Sequence, residues 1–208
     1  EGEMTIETWL AFVAATFILL LAPGPTVLLI LSYAISQGRR VALATVAGVA
    51  LGDLIAMSAY LAGLGALILA SAELFEALKW IGAAYLIFMG VKLFPSASAA
   101  GNEAQAPAPA GSVFSHAATV TALNPKSIVF FIAFVPQFVS PATPLTPQFI
   151  ILIQTFVCLA ALNALTYALL ANRLRNKISR PSGKAWLSRM GGGTLVLMGV
   201  VTALYRRA

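Results

Sequence analysis

The chain has 208 residues, 60% of them hydrophobic and 10% charged, and its mean hydropathy is +0.90. A soluble domain carries about 25% charged residues, so the chain reads as an integral membrane protein rather than a water-covered globule. The net charge of +6 sits in short loops between apolar runs, where basic residues act as topology signal, and not in the stripe that nucleic-acid binding needs. Cys158 and His116 are single, so neither a disulfide framework nor a Cys or His metal cluster is expected.

Met4 reads as the native start, after Glu1-Gly2-Glu3. The first apolar run is too long for a signal peptide and has neither a basic leading segment nor a small-residue cleavage pattern. Hydropathy places six spans at about Thr8–Ser36, Val41–Ala70, Leu74–Phe94, Phe114–Phe138, Pro147–Asn172 and Trp186–Tyr205. Each is long enough to cross about 30 Å of hydrocarbon. The first two exceed what a straight helix needs, which predicts tilt or a break.

Span 1 contains Ala22-Pro23-Gly24-Pro25-Thr26. Proline removes a backbone donor and crowds the preceding turn, so two prolines around a glycine open the helix. Span 2 carries Asp53, with no other charge between Arg40 and Glu73. A carboxylate at that depth costs roughly 2.5–3.5 kcal/mol on insertion scales, and it faces a protein interior or a watery cavity. Gly48 and Gly52 form a small-xxx-small pair, the pattern of close helix packing. In span 3, Lys79-Trp80 reads as an interfacial anchor, with Glu76 as an alternative partner for Lys79.

The segment Pro95–Gly111 is rich in Ala, Pro and Ser and reads as a flexible cytoplasmic linker. It separates residues 4–94 from 112–208, with three spans each. Span 4 contains Leu123-Asn124-Pro125-Lys126-Ser127, a second break at the position matching the first. Span 5 carries Asn163, read either as a site residue or as an interhelical hydrogen bond. In span 6, Trp186 reads as an interfacial anchor, and Gly191-Gly192-Gly193 as close packing or a hinge.

The positive-inside rule sets the orientation. With both termini outside, nine basic residues (Arg39, Arg40, Lys92, Arg173, Arg175, Lys177, Arg180, Lys184 and Arg189) lie in the cytoplasm, against Lys79, Arg206 and Arg207 outside. Three spans per half is an odd number, so the halves are expected to be inverted. Matched Gly/Pro-interrupted spans in inverted halves point to a transporter site; the alternative is a pair of plain proline kinks. The expected fold is all-α, six transmembrane helices as two inverted three-helix repeats, with helices 1 and 4 broken.

At about 1.5 Å per residue, Asp53 lies some 18–20 Å from Arg40, Lys126 roughly 15–18 Å into span 4, and Asn163 about 15 Å from Arg173. Pro23, Gly24 and Pro25 sit at similar depth, so these groups are expected to meet near the midplane. Opened half-helices offer free N–H groups to a carboxylate, assisted by Thr26, Ser127 and Lys126. Asp53 suits an ammonium group or a proton. An α-amino acid carries both charges. The competing reading is a structural ion pair between Asp53 and Lys126.

These residues resemble the lysine exporter (LysE/RhtB) family of bacterial inner-membrane amino-acid exporters. The resemblance rests on Ala22-Pro23-Gly24-Pro25, on Gly48-Val-Ala-Leu-Gly52-Asp53, and on Lys79-Trp-Ile-Gly-Ala-Ala-Tyr85-Leu-Ile-Phe-Met-Gly90. Asn124-Pro125-Lys126-Ser127, followed by Pro136-Gln137-Phe138, is its most specific part. It covers essentially the whole chain. It implies efflux of amino acids or close derivatives, driven by the proton gradient. It also implies that Asp53, the two broken motifs and Asn163 are the positions to test. The expected substrate site is Asp53, Pro23, Gly24, Pro25, Thr26, Asn124, Pro125, Lys126, Ser127 and Asn163, with Asp53 also coupling protons. Family members handle basic, hydroxylated, aliphatic and sulfur-containing amino acids. One carboxylate already faced by Lys126 favours a neutral one.

The rival readings are efflux of another small solute or of a divalent cation, a membrane enzyme, and a non-transporting subunit. A divalent ion needs several hard ligands and only Asp53 is at depth. No nucleophile with a base and no paired carboxylates lie in the spans. No P-loop is present, and no cofactor is expected. The expected partners are an amino acid, protons and the bilayer, with a homo-oligomer compatible with so small a chain.

Overall fold

The computed structural model describes residues 4–21, 24–37, 39–70 and 108–178, with scattered positions in 77–91 and 189–200. Helices α1 (Ile6–Leu21), α2 (Pro25–Gln37) and α3 (Arg39–Ala70) come first. They are followed by α4 (Ala110–Ala122), α5 (Pro125–Ala133), a 3₁₀ turn (Val135–Phe138) and α6 (Leu145–Ile178). No strand occurs among the described residues. Most of the expected spans 3 and 6 and of the linker lies outside them, as do Ala22 and Pro23.

Both expected breaks are present. α1 and α2 differ in direction by 58°. In the second half, α4 ends at Ala122 and α5 restarts at Pro125. In each case a proline stands at the first position of the new helix, where its missing N–H is no loss. Two stretches, Val41–Ala66 and Leu145–Ala171, are single helices long and apolar enough to cross a membrane; the bent α1–α2 pair is a third candidate.

One boundary differs from expectation. α4 begins at Ala110, so the last two residues of the expected linker, Ala110 and Gly111, are helical. Pro109 holds φ at −59° in the cap position, and its carbonyl accepts from the Ser112 amide at 3.0 Å and hydroxyl at 2.8 Å. That closes the first turn four residues before the apolar run starts.

The outer surface is apolar: Leu10, Phe17, Leu43, Ile55, Leu162 and Leu169 are all more than half exposed. The buried side chains form separate apolar clusters. Phe12 and Leu19 of α1, Met57 and Leu61 of α3, Phe130 and Phe131 of α5 and Phe156 of α6 pack together on one side. Their rings interlock, Phe131 meeting Phe156 edge to face at 4.9 Å between centroids.

On the other side lie Ile30 and Tyr33 of α2, Val49 of α3, Val113 and Ala117 of α4 and Ala164 of α6. There the Tyr33 hydroxyl pairs with His116 Nδ1 at 2.8 Å.

Gly48 and Gly52 set how close α3 comes to α4. A Cβ on Gly48 would lie 2.4 Å from the Phe114 carbonyl oxygen, and one on Gly52 would lie 2.5 Å from that of Ala118. The small-residue pair is therefore a packing device, because only glycine lets two backbones approach this far. It places Asp53, next to Gly52, against the break between α4 and α5.

Candidate functional site

A pocket of about 40 Å³ lies between the two breaks. Of the expected site residues, Gly24, Thr26, Asp53, Asn124, Lys126, Ser127 and Asn163 line it. Pro125 only opens α5. Pro25 is exposed and is not among the lining residues. Pro23 lies outside the described residues. The walls between the polar groups are apolar, from Val27 and Ile30 of α2, Val49 of α3 and Ala160 and Ala164 of α6.

The break in span 1 has a direct chemical consequence. In a continuous helix the carbonyl of residue i accepts from the amide of residue i+4. Pro23 and Pro25 have no amide hydrogen, so the carbonyls of Leu19 and Leu21 lose their intrahelical donors. Side chains distant in sequence replace them. The Lys126 ammonium donates to the Leu19 carbonyl at 2.7 Å, and the Tyr167 hydroxyl donates to that of Leu21 at 3.2 Å. The carbonyl between them, that of Leu20, accepts from the Asn163 side-chain amide at 3.2 Å. A positive group at this point also opposes the negative end of the α1 dipole.

The second break is organised by Asn124. Its Oδ1 caps α5 by accepting from the Lys126 amide at 3.0 Å. Its Nδ2 donates to the Thr26 hydroxyl at 2.9 Å. Thr26 thus accepts from Asn124 and keeps its own hydrogen to donate, to Thr121 at 3.5 Å or into the pocket. Of the amides expected at the opened α5 terminus, that of Lys126 is already taken by this cap.

Asp53 is 3% exposed and Lys126 is 8% exposed. Opposite charges thus line one small, mostly apolar space, where attraction is strong because the dielectric is low. Oδ1 of Asp53 is buried with no hydrogen-bond partner among the described residues. An unpartnered carboxylate oxygen in such a place is costly and marks a point where a donor is wanted. No group of three His, Cys, Asp or Glu able to hold a metal occurs among the described residues.

Sequence reading missed Tyr167 and the α1 carbonyls. The signal was there in spacing: Leu19 and Leu21 stand four residues before Pro23 and Pro25, and Tyr167 stands one helical turn after Asn163 on the same face.

These features define a polytopic membrane protein with a charged, buried pocket where two helices are interrupted. The family model described as LysE type translocator matches residues 17–206, and the chain belongs to this family. It is a transporter and not an enzyme. The chain is 35% identical over 206 residues to a homoserine/homoserine lactone efflux protein of Salmonella typhimurium, covering 99% of this chain and 100% of the relative. The protein of that name from Salmonella typhi is likewise 35% identical over 206 residues, with the same coverage. An uncharacterized membrane protein of Vibrio cholerae is 31% identical over 205 residues, covering 96% of this chain and 98% of the relative. No solved structure matches.

Proposed function

We propose that the chain is a secondary exporter of a small neutral amino acid, or a close derivative such as its lactone, across the bacterial inner membrane. The observation that carries this is the buried Asp53 carboxylate, one oxygen unpartnered, in the same pocket as Lys126 and between two opened helices. Asp53 offers a seat to the substrate ammonium and to a proton in turn, which is the requirement for antiport. The hydroxyls of Thr26 and Ser127 and the start of α5 receive the carboxylate. Pro25 and Pro125 act through the backbone, by opening their helices. The full-length likeness to two homoserine/homoserine lactone efflux proteins makes L-homoserine the first substrate to test.

The proposed architecture is two inverted three-helix halves, residues 4–94 and 112–208, joined by a cytoplasmic linker at 95–111, with both termini outside. A water needs about 10–15 Å³ of cavity, so 40 Å³ holds a few waters and no amino acid. Loading therefore requires the halves to part around the site, which is alternating access.

The test is export of labelled L-homoserine from cells expressing the chain, with and without a protonophore. Export above the empty-vector level that collapses with the protonophore is expected. Equal export by vector cells would remove the amino acid, and export indifferent to the protonophore would remove proton coupling.

A further inference from the structure

The end of α1 is built to hold a cation. It carries the negative end of a helix dipole and, at Leu19, a carbonyl whose intrahelical donor is replaced by proline. The Asp53 carboxylate lines the same pocket, 3% exposed, with Oδ1 lacking a hydrogen-bond partner among the described residues. One carbonyl and one carboxylate, in a pocket whose other polar groups are neutral apart from Lys126 itself, suit a single monovalent cation with hydrogens to donate. The chain itself supplies one in the Lys126 ammonium, at 2.7 Å from the Leu19 oxygen. Its stem reaches there past Gly24, where a Cβ would stand 3.1 Å from Lys126 Cδ.

We propose that the Leu19 carbonyl and Asp53 form a subsite for one primary ammonium group, occupied either by Lys126 or by the ammonium of the substrate, never by both. In the unloaded protein Lys126 is a tethered occupant; loading displaces it. The exchange keeps the Leu19 carbonyl partnered in both states, so neither state leaves a buried acceptor unsatisfied. It also frees the lysine charge for the substrate's carboxylate, so that one side chain serves two steps. A compact ammonium on a flexible stem suits such exchange; a planar guanidinium does not. This deepens the exporter reading and rests on it for the ligand's identity, while the ammonium chemistry is testable without it.

The test is calorimetric titration of the detergent-purified full chain with propylammonium chloride, potassium propionate, sodium chloride and L-homoserine, for wild type and Lys126→Met. Removing an internal competitor raises apparent affinity by the inverse of the free fraction. Propylammonium is expected to bind Lys126→Met at least tenfold tighter than wild type, with propionate no tighter. Gly24→Ala, which crowds the lysine stem but keeps the charge, is expected to shift affinity the same way by a smaller factor, and carries the test if Lys126→Met does not fold. Unchanged or weaker propylammonium binding in both variants overturns the proposal, as does a new sodium site in place of an ammonium site. Tightened propylammonium without any L-homoserine binding would sustain the subsite and remove the exporter reading. L-homoserine binding that Lys126→Met only weakens would do the reverse.

Discussion

Asn124 donates its side-chain amide to the Thr26 hydroxyl at 2.9 Å, and this bond ties the break in the first half of the chain to the break in the second. The orientation of the amide follows from its other end, where Oδ1 must accept from the Lys126 amide. One side chain thus caps α5 and holds the two opened helices against each other. Replacing Asn124 by alanine removes both functions. Loss of the cap alone costs about 1 kcal/mol, within a range of about 0.5–2. A corresponding drop in unfolding free energy is expected in chemical denaturation of the purified protein, with Asn124→Asp, which keeps the acceptor, closer to wild type.

Asp53→Asn removes the charge and the exchangeable proton while keeping the shape. Proton-coupled export is expected to fall to the vector background, with expression and size-exclusion behaviour unchanged. Transport by this variant that still follows the proton gradient would end the coupling role assigned to Asp53.

Gly52→Ala and Gly63→Ala form a pair with opposite expectations. A methyl at 52 meets the Ala118 carbonyl oxygen at 2.5 Å and the Thr121 Cβ at 2.8 Å, whereas at 63 nothing lies within 4 Å. The first forces α3 and α4 apart, a strain of about 1–3 kcal/mol, and displaces Asp53 with them. The second relieves a helix-interior glycine and is expected to be neutral or stabilising by about 0.4–1 kcal/mol. Thermal unfolding of both variants side by side checks the contrast.

Tyr167→Phe deletes only the hydroxyl that reaches the Leu21 carbonyl. Hydrogen bonds inside membrane proteins average about 0.6 kcal/mol, so a small loss of stability is expected. Asn163→Ala is expected to cost about as much again, because it uncouples the Leu20 carbonyl. If the two bonds act together to hold the broken end of α1, the double variant loses more than the sum, and a double-mutant cycle reads this directly.

Much of the pocket's lining was legible from residue types alone. Proline and glycine announce helix breaks whatever surrounds them, because the missing amide hydrogen is a covalent fact. A lone aspartate in an apolar run announces an interior position, because lipid cannot solvate it. The start of α4 was placed late because Pro109 lies within a low-complexity stretch, and composition does not say which of several prolines begins the helix.

The partners were not legible. Depth along each span follows from counting residues at a fixed rise, and this brought Asp53, Asn124, Lys126 and Asn163 to one level of the membrane. Which way each side chain points depends on how one helix is rotated against another. Packing settles that rotation: Gly48 and Gly52 against α4, and the phenylalanine cluster against α1 and α6. Lys126, read as a partner either of Asp53 or of the substrate, donates to the Leu19 carbonyl in the pocket that Asp53 also lines; Tyr167 closes the end of α1 at the Leu21 carbonyl. Sequence alone determined that the Leu19 and Leu21 carbonyls would lose their donors at the break, since Pro23 and Pro25 have no amide hydrogen. Only the tertiary structure decided that Lys126 and Tyr167 satisfy them, with Asn163 on the Leu20 carbonyl between, because a hydrogen bond needs about 3 Å and a direction, and neither is written in the order of residues.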